Sequence, residues 1–280
     1  MREIAASEIT NAVARLCMQA NQILPQDIKT CLTGAVGAER NPLGKQVLGE
    51  LVRNFEEAEQ LHLPVCQDTG MAVVFAQIGQ EVHITGGSFT QAVNDGVALG
   101  YTQGLLRCSV VGDPLERKNT NDNTPAVLHI ELVPGEQIHL TVAPKGAGSE
   151  NMSAQIMLTP AATEEDIIGF VVDCVCRAGG NPCPPVVVGV GIGSNFEGCS
   201  LLAKKALCRS TTESNENPRY AALERRMLDK INETGIGPQG FGGSVTALAV
   251  NIEYGATHIA SLPVAVNMGC HVTRHASTIL

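Results

Sequence analysis

The stretch TEEDIIGFVVDCVCRAGGNPCPPVVVGVGIG, residues 163–193, predicts the class of fold. Its opening Thr163 and the acidic residues after it are typical of a helix start, and Gly179-Gly180 is typical of a helix end. The apolar run that follows, PPVVVGVGIG, indicates a buried strand that enters a glycine-containing turn. A helix followed directly by a buried strand predicts α/β architecture.

The rest of the chain shows the same mixture. Residues Ser7–Gln60 are rich in helix formers and are interrupted near Leu24-Pro25 and Asn41-Pro42, which predicts a helical opening over residues 1–60. Later segments read as strands MAVVFAQI and EVHITGG, then a helix SFTQAVNDGVALGYTQGLL, then strands AVLHIELV and QIHLTVAP. Because a short connection that contains Pro134-Gly135 separates the last two strands, they predict a β-hairpin. We therefore expect a helical N-terminal segment followed by mixed β-sheet layers with helices.

Two features bear on domain organisation. A chain of 280 residues can form one large domain or two smaller lobes. The polar, turn-rich segment RSTTESNENPR, residues 209–219, predicts a surface loop before the helical pattern YAALERRMLDKINETG.

Composition excludes several classes of function. Aromatic residues make up 3% of the chain, Trp is absent, and the formal net charge is −9 with 19 Lys and Arg. A nucleic-acid partner requires basic surface and stacking side chains, so none is expected. No apolar run reaches the roughly 18 residues of a membrane helix, and the N-terminus lacks a signal-peptide pattern, so we expect a cytoplasmic protein without a membrane span.

The ten cysteines are widely spaced. None belongs to a Cys-x-x-Cys pair, which excludes zinc ribbons and thioredoxin-like redox pairs. In a cytoplasmic chain they are expected to be thiols, or metal ligands gathered from distant positions. Cys174 and Cys176 lie on different faces of a predicted helix, so we expect them to be small core residues. The same expectation holds for Cys17, Cys31, Cys108, Cys199 and Cys208.

The glycine-rich stretch GVGIGSNFEG, residues 189–198, resembles nucleotide-binding loops only in part. Ser194 stands where a dinucleotide-binding loop needs Gly or Ala. Cys199-Ser200 replaces the Lys-Ser/Thr of a P-loop. The stretch therefore predicts a tight strand-to-helix turn, whose helix N-terminus offers amide donors for a small carboxylate.

Several longer motifs carry a family resemblance. They are PVCQDTG, NTNDNTPAVLH, PKGAGSENMS, AGGNPCPPVVVGVGIG and HIASLPVAVNMGCHVTRHA. In this order they resemble the α-type catalytic region of class I fumarate hydratases and L-tartrate dehydratases, which are oxygen-sensitive iron-sulfur hydro-lyases. The resemblance covers nearly the whole chain and implies that residues 1–280 form one iron-sulfur hydro-lyase α-type catalytic domain.

The resemblance implies a 4Fe-4S cluster held by Cys66, Cys183 and Cys270. Three protein ligands leave one iron with an open coordination position, which allows it to act as a Lewis acid on a substrate hydroxyl. Cys183 lies between two prolines, a rigid setting that suits a fixed ligand.

The resemblance also implies Asp68 and His258 as catalytic residues and Gln67 and Asp68 as substrate-binding residues. Asp68 follows Cys66 by two residues, so its acid group can assist proton movement beside the cluster. The alternative interpretation of Asp68-Thr69-Gly70 is a simple turn. His258 precedes Cys270 by twelve residues.

Arg107, Lys145 and Gly148 complete the implied substrate contacts. Arg107 matches a position where the family uses an arginine for a substrate carboxylate, a task that suits its planar fork. Its alternative interpretation is a solvated charge at a helix end. Lys145 and the loop up to Gly148 resemble the family's glycine-rich substrate loop, with Ala147 where a third consecutive glycine is common.

Family members with one long polypeptide continue into a β-type domain that supplies further substrate-binding Arg and Lys residues and a threonine. Because this chain stops at Leu280, we expect the α subunit of an α2β2 or similar assembly, with a β-type hydro-lyase subunit completing the active site. The expected reaction is the reversible hydration of fumarate to malate, and dehydration of L-tartrate is the alternative. Both act on small dicarboxylates.

Two hypotheses from other classes stay open. A non-catalytic electron-transfer or sensing subunit would favour four cluster ligands. A zinc hydrolase that used the same cysteines and histidines would contain stoichiometric zinc.

Overall fold

The computed structural model describes residues 1–280, and the chain divides into two compact units. Unit 1 contains residues 1–25, 55–146 and 274–280, and unit 2 contains residues 26–54 and 147–273. The predicted helical opening is confirmed as three helices, α1 (Ala6–Gln22), α2 (Gln26–Ala38) and α3 (Pro42–Leu61). The interruptions fall where predicted because Pro25 and Pro42 lack an amide N–H and are tolerated only before or at the start of a helix.

Unit 1 is built on a four-stranded sheet with the order β10-β5-β2-β4. These strands are β2 (Met71–Gly79), β4 (Val127–Val133), β5 (Ile138–Lys145) and β10 (Ala276–Ile279). A smaller parallel sheet pairs β1 (Arg2–Ala5) with β3 (Val82–Thr85). Buried residues of β2 and β5, such as Val74 and Leu140, pack with those of α1 to form the core of this unit.

Helix α4 (Phe89–Gln103) packs closely on α1 because two of its glycines face that helix. A Cβ added at Gly96 or Gly100 would lie 2.7 Å from a backbone oxygen of α1. The hydroxyl of Thr10 also donates to the carbonyl of Ala92 at 3.0 Å. This packing holds Tyr101, which is fully buried near the end of α4, in the core of unit 1.

The prediction that the strands on either side of Pro134-Gly135 form a β-hairpin is wrong. Strand β4 pairs with β2 in parallel, and β5 pairs with β2 antiparallel, so β2 lies between them. A four-residue connection, residues 134–137, joins β4 and β5 along the chain, but β2 lies between the two strands in the sheet. Long-range pairing, and not the local turn, sets the strand order.

Unit 2 contains a four-stranded mixed sheet with the order β6-β9-β7-β8. Its strands are β6 (Ala154–Leu158), β7 (Val186–Gly193), β8 (Ala247–Gly255) and β9 (Leu262–Gly269). Its further helices are α5 (Ala147–Glu150), α6 (Glu164–Ala178), α7 (Phe196–Ala206) and α8 (Pro218–Asn232), with a 3-10 turn at Pro238–Gly240. The predicted capping of α6 is confirmed, because the Thr163 hydroxyl accepts from the Asp166 amide.

Strand β7 is buried along its whole length, as predicted, and its sequence explains both faces. Val186, Val188 and Val190 join the core formed with α6 and α8. Its glycines face α7, where a Cβ at Gly189 or Gly191 would lie within 2.2 Å of a helix carbonyl oxygen. The predicted turn follows, and the Asn195 side chain caps α7 by accepting from the Gly198 amide at 2.8 Å.

Two further expectations can be compared with the fold. Residues 209–217 lie between α7 and α8, Pro218 and Arg219 begin α8, and all of these side chains are exposed or half-buried. Across the chain, no helix combines the length and the apolar character that crossing a membrane requires. The alternation of helices with mixed sheets confirms the predicted α/β class.

Candidate functional site

The predicted ligand Cys66 lies on a turn, residues 65–70, that leads into β2 in unit 1. Its side chain is half-buried, and the Asp68 amide donates to Cys66 Sγ at 3.4 Å. The Cys66 thiol in turn donates to Gln67 Oε1 at 3.4 Å, and the Gln67 side chain is exposed. An N–H donor aimed at sulfur stabilises negative charge on that sulfur, which suits a thiolate ligand.

Asp68 lies in a turn, as the alternative interpretation of Asp68-Thr69-Gly70 predicted. Asp68 Oδ1 accepts from the Gly70 amide at 3.0 Å, which fixes the carboxylate plane. Asp68 Oδ2 lies against Gly146, where an added Cβ would be 3.0 Å from that oxygen. The turn interpretation therefore describes the local structure correctly, and it leaves the carboxylate in a defined orientation.

The same turn lies directly against the predicted lysine loop. A Cβ at Gly70, whose φ is +71°, would lie 2.6 to 2.8 Å from the backbone of Lys145. The half-buried Lys145 donates from Nζ to the carbonyl of Gly146 at 3.3 Å. Unit 1 thus brings a thiol, a carboxylate and an ammonium group together on adjoining backbone segments.

Buried polar side chains from distant parts of the chain support this turn. Tyr101 donates its hydroxyl to the carbonyls of Thr69 and Gly70 at 2.8 and 3.1 Å. Burial raises the pKa of Tyr101 above its usual value, so the phenol stays a donor. Asn123 Nδ2 donates to the same Gly70 carbonyl at 3.0 Å.

Arg274 is a second kind of support that sequence reasoning missed. It is buried, and its Nη2 donates to the carbonyl of Asp68 at 2.6 Å. A charged residue in the short segment between Cys270 and the C-terminal strand was the available signal. Arg107, by contrast, has an exposed side chain, and only its carbonyl joins the turn by accepting from the Thr69 hydroxyl at 3.0 Å.

Unit 2 places the other two predicted ligands together. The residue after Cys270, His271, donates its backbone amide to the carbonyl of Cys183 at 3.3 Å, and its Nδ1 donates to the same oxygen at 3.0 Å. Cys183 is exposed and Cys270 is half-buried. Cys183 adopts a left-handed φ of +56°, which is uncommon for a residue with a Cβ and marks a position held by its surroundings.

Gln239, which sequence reasoning also missed, holds the backbone beside Cys183. Its side chain and its backbone amide both donate to the carbonyl of Pro184, at 2.7 and 2.8 Å. Its Nε2 also lies 3.3 Å from Nδ1 of His271. Gln239 lies in the Gly- and Pro-rich stretch GIGPQGFGGS, which predicts only turns. No pattern in that stretch predicts a bond from Gln239 to the distant Pro184.

The remaining predicted residues of unit 2 lie on exposed segments. His258 is exposed in the loop after β8, where its Nδ1 accepts from the Ala260 amide at 3.1 Å. That bond leaves the proton of the neutral ring on Nε2. Gly148 is exposed within α5, which Glu150 anchors by an ion pair with Lys204 and by accepting from Asn267 at 2.9 Å.

Cys17 and Cys199 are buried, unlike the three predicted ligands. Burial raises the pKa of Cys17 to about 12 and that of Cys199 to about 11, so both stay thiols at neutral pH. Cys174 is buried as predicted, but the prediction of a core role for Cys176 is wrong, because its position on α6 faces outward. No disulfide joins any of the ten cysteines.

The three predicted ligands are divided between the units, with Cys66 in unit 1 and the other two in unit 2. Within either unit, no group of three or more His, Cys, Asp or Glu side chains is placed to hold a metal ion. The donor chemistry nevertheless suits a cluster with three thiolate ligands. All three thiols have surface access, and one already receives an N–H donor.

Comparison with known proteins gives a consistent result. The family model described as fumarate hydratase (fumerase) matches residues 10–279. A putative L(+)-tartrate dehydratase subunit alpha of Methanocaldococcus jannaschii is 39% identical over 275 residues, which is 96% of each chain. The L(+)-tartrate dehydratase alpha subunits of Escherichia coli O157:H7 and Shigella sonnei are 29% and 28% identical over 282 residues, which is 100% of this chain and 93% of theirs. The chain therefore belongs to the fumarate hydratase family, as a class I member of the α type.

Proposed function

We propose that this chain is the α subunit of an iron-sulfur hydro-lyase that adds or removes water at a small dicarboxylate. The observation that carries the proposal is the turn around Cys66. There a thiol with an N–H donor, an exposed amide and an oriented carboxylate adjoin the Lys145 segment. A family match over nearly the whole chain supports the same assignment.

Cys66, Cys183 and Cys270 would hold a 4Fe-4S cluster. Such a cluster, when bound through three thiolates, supplies an iron with an open coordination position that acts as a Lewis acid on the departing hydroxyl group. The protein's part would be to present Cys66, Cys183 and Cys270 with surface access, whereas Cys17 and Cys199 stay buried and protonated.

The chain's own polar residues would orient the substrate and move a proton. Asp68 lies two residues after Cys66, where its carboxylate would exchange a proton with the substrate. His258 presents an N–H at Nε2, which can donate to a substrate oxygen. Gln67 and the backbone at Gly148 would orient a carboxylate through amide N–H groups.

Charge explains why a partner is part of the proposal. A dicarboxylate carries two negative charges, and a chain with a net charge of −9 offers Arg107 and Lys145 as its predicted cationic contacts. A β-type subunit that adds further cationic residues would complete the site. It would also exclude water from the reacting groups, which strengthens each electrostatic contact.

Two substrates are candidates, and each has its own support. The family model is described as fumarate hydratase, which favours fumarate and malate. The relatives with the matching length are named L(+)-tartrate dehydratase subunits, which favours L-tartrate. The proposed contacts bind features that these diacids share, so the reaction class is the same for both.

The test is anaerobic production of this chain with and without a β-type partner, followed by assays on fumarate, malate and both tartrate enantiomers. We expect turnover only from the pair, with the preferred substrate naming the enzyme. A pair in which this chain carries Cys66→Ser is the matched control and should be inactive. A pair that holds iron and sulfide but converts none of these acids would refute the hydro-lyase assignment and favour a non-catalytic cluster protein.

A further inference from the structure

Arg274 stands out because it is a buried charge placed at the functional turn. Arg274 is 5% exposed, and two of its N–H groups donate to different partners. Nη2 donates to the carbonyl of Asp68 at 2.6 Å, and Nε donates to Asn21 Oδ1 at 3.2 Å. Burying a guanidinium is costly unless its N–H groups are satisfied, so these bonds hold the arginine in one position.

Asn21 extends the support to the other side of Cys66. It is fully buried on α1, where its Nδ2 donates to the carbonyl of Cys17 at 2.9 Å. The backbone carbonyl of Asn21 accepts from the Val65 amide at 2.9 Å. The backbone is thus held just before Cys66 by Asn21 and just after Gln67 by Arg274, and the two holding residues are bonded to each other.

We propose that Arg274 is a positioning residue that fixes the turn from Val65 to Gly70, and with it the relative geometry of Cys66 Sγ and the Asp68 carboxylate. The proposal rests on the proposed function for the roles of Cys66 as a ligand and Asp68 as an acid. Arg274 follows Cys270 by four residues. One short segment therefore carries one proposed ligand and the support of another.

The planar fork of arginine explains why this residue type is needed. It can donate in two directions at once, to a side-chain oxygen through Nε and to a backbone oxygen through Nη2. A lysine at the same position keeps the charge but presents a single ammonium group, so we expect it to satisfy the two partners less well. Loss of a hydrogen bond from a charged donor permits opening of the turn, which exposes its amides to solvent.

The first test uses hydrogen exchange on the cluster-free chain, with Arg274→Gln, Arg274→Lys and the control Arg209→Gln. The amides of Asp68 and Gly70 should exchange about tenfold faster or more in Arg274→Gln, with an intermediate rate in Arg274→Lys. Arg209 is a half-buried arginine that pairs with Glu224 in unit 2. Its replacement should leave those two amides at the wild-type rate.

The second test compares the same variants in the anaerobic pair with the β-type subunit. Arg274→Gln should lose iron faster than Arg209→Gln and should lower kcat with a KM close to wild type, because Arg274 supports the turn without contacting the substrate. If Arg274→Gln fails to fold, Arg274→Lys decides both tests. Unchanged exchange at Asp68 and Gly70, equal acceleration by Arg209→Gln, or faster exchange with wild-type iron retention and kcat would each overturn the proposal. A wild-type pair without iron would instead refute the proposed function, while hydrogen exchange would still decide the role of Arg274.

Discussion

The segments that carry Cys66 and Cys183 are built in different ways. In unit 1, the carbonyls that follow Cys66 accept hydrogen bonds from side chains that are themselves buried, Arg274, Tyr101 and Asn123. These side chains come from the C-terminal segment, a helix and a loop. The turn is therefore fixed by parts of the chain that are far apart in sequence.

In unit 2, Cys183 lies on an exposed loop in a left-handed conformation. The neighbouring carbonyls accept from Gln239 and from the half-buried His271. This arrangement relies on fewer buried donors than the turn in unit 1. Under the proposed function, the buried supports in unit 1 would place the acid group beside Cys66 accurately, whereas the Cys183 loop would mainly present a thiol.

Replacing a proposed ligand should have the largest effect. Cys66→Ser, Cys183→Ser and Cys270→Ser should each abolish cluster retention, since a hydroxyl is a poor substitute for a thiolate ligand. Cys174→Ser and Cys176→Ser, one buried and one exposed, are the controls and should keep the cluster. Iron and sulfide content after anaerobic purification is the measurement. An empty site in Cys176→Ser together with a full site in Cys183→Ser would show that the ligand assignment is wrong.

The next largest effect separates the acid-base role of Asp68 from its structural role in the turn. Asp68→Asn keeps an oxygen for the Gly70 amide but removes the charge and the proton acceptor, so turnover should fall by about 10²- to 10⁴-fold while the cluster stays bound. The control is Asp113→Asn, because exposed Asp113 caps a turn in the same unit by accepting two amides at 2.8 Å. That variant should retain wild-type turnover. Activity of Asp68→Asn within a few-fold of wild type would reduce Asp68 to a turn residue.

Replacing Gly70, with Gly235 as its control, tests how closely the turn after Cys66 packs against the Lys145 segment. Gly70 and Gly235 have nearly the same φ, +71° and +70°, but only Gly70 has backbone within 3 Å of an added Cβ. In both alanine variants the left-handed conformation should lower the unfolding free energy by roughly 1 kcal/mol. Gly70→Ala should lose about 1–3 kcal/mol more of unfolding free energy because it is also overpacked. Equal urea-unfolding midpoints for Gly70→Ala and Gly235→Ala would contradict the close contact between Gly70 and the Lys145 backbone.

The smallest effect concerns Glu39, which supports the loop after Gln239 in unit 2. Burial raises the pKa of Glu39, but amide donors that include Asn41, Ser244 and Val245 lower it by more, so the net pKa lies below its usual value of 4.5. A depressed pKa means that the charged carboxylate stabilises the fold above pH 4.5 and that this stabilisation is lost as pH falls through the folded-state pKa.

Glu39→Gln should therefore flatten the fall of unfolding free energy below pH 4.5, by at most about 1.4 kcal/mol per pH unit for one proton. The control is Glu57→Gln, which changes an exposed side chain on α3 and should leave the pH profile unchanged. Urea unfolding from pH 7 down to pH 3 makes the comparison. A profile of Glu39→Gln identical to wild type would show that these amide bonds do not stabilise the charged form.

Local patterns predicted much of the fold because helix breaks and buried strands depend on neighbouring residues. Pro25 and Pro42 marked the helix interruptions, and the Val-Gly alternation of β7 marked a fully buried strand. The hairpin failed because β2 enters between β4 and β5, which no local turn reports. Cys176 was misplaced for a similar reason, since only the packing of α6 decides which face is covered.

The sequence offered candidate site residues but not the side chains that support their backbone. The resemblance supplied Cys66 and Asp68, and the structure places Asp68 against the predicted lysine loop. Arg274 and Gln239 were missed because they act through backbone carbonyls of residues far away in sequence. Asn21 did leave a signal, since it continues the buried face of α1 four residues after Cys17.

The most direct test of the central claim is magnetic resonance of the reduced, anaerobically prepared pair with the β-type subunit, recorded with and without fumarate, malate or L-tartrate. The account predicts the signal of a 4Fe-4S cluster that changes when one of these acids is added, because the proposed cluster would have one iron without a protein ligand and open to substrate. Cys66→Ser should remove the signal, and Cys176→Ser should keep it. A cluster signal that none of the acids alters would contradict the claim and support a cluster with four ligands and no catalytic role.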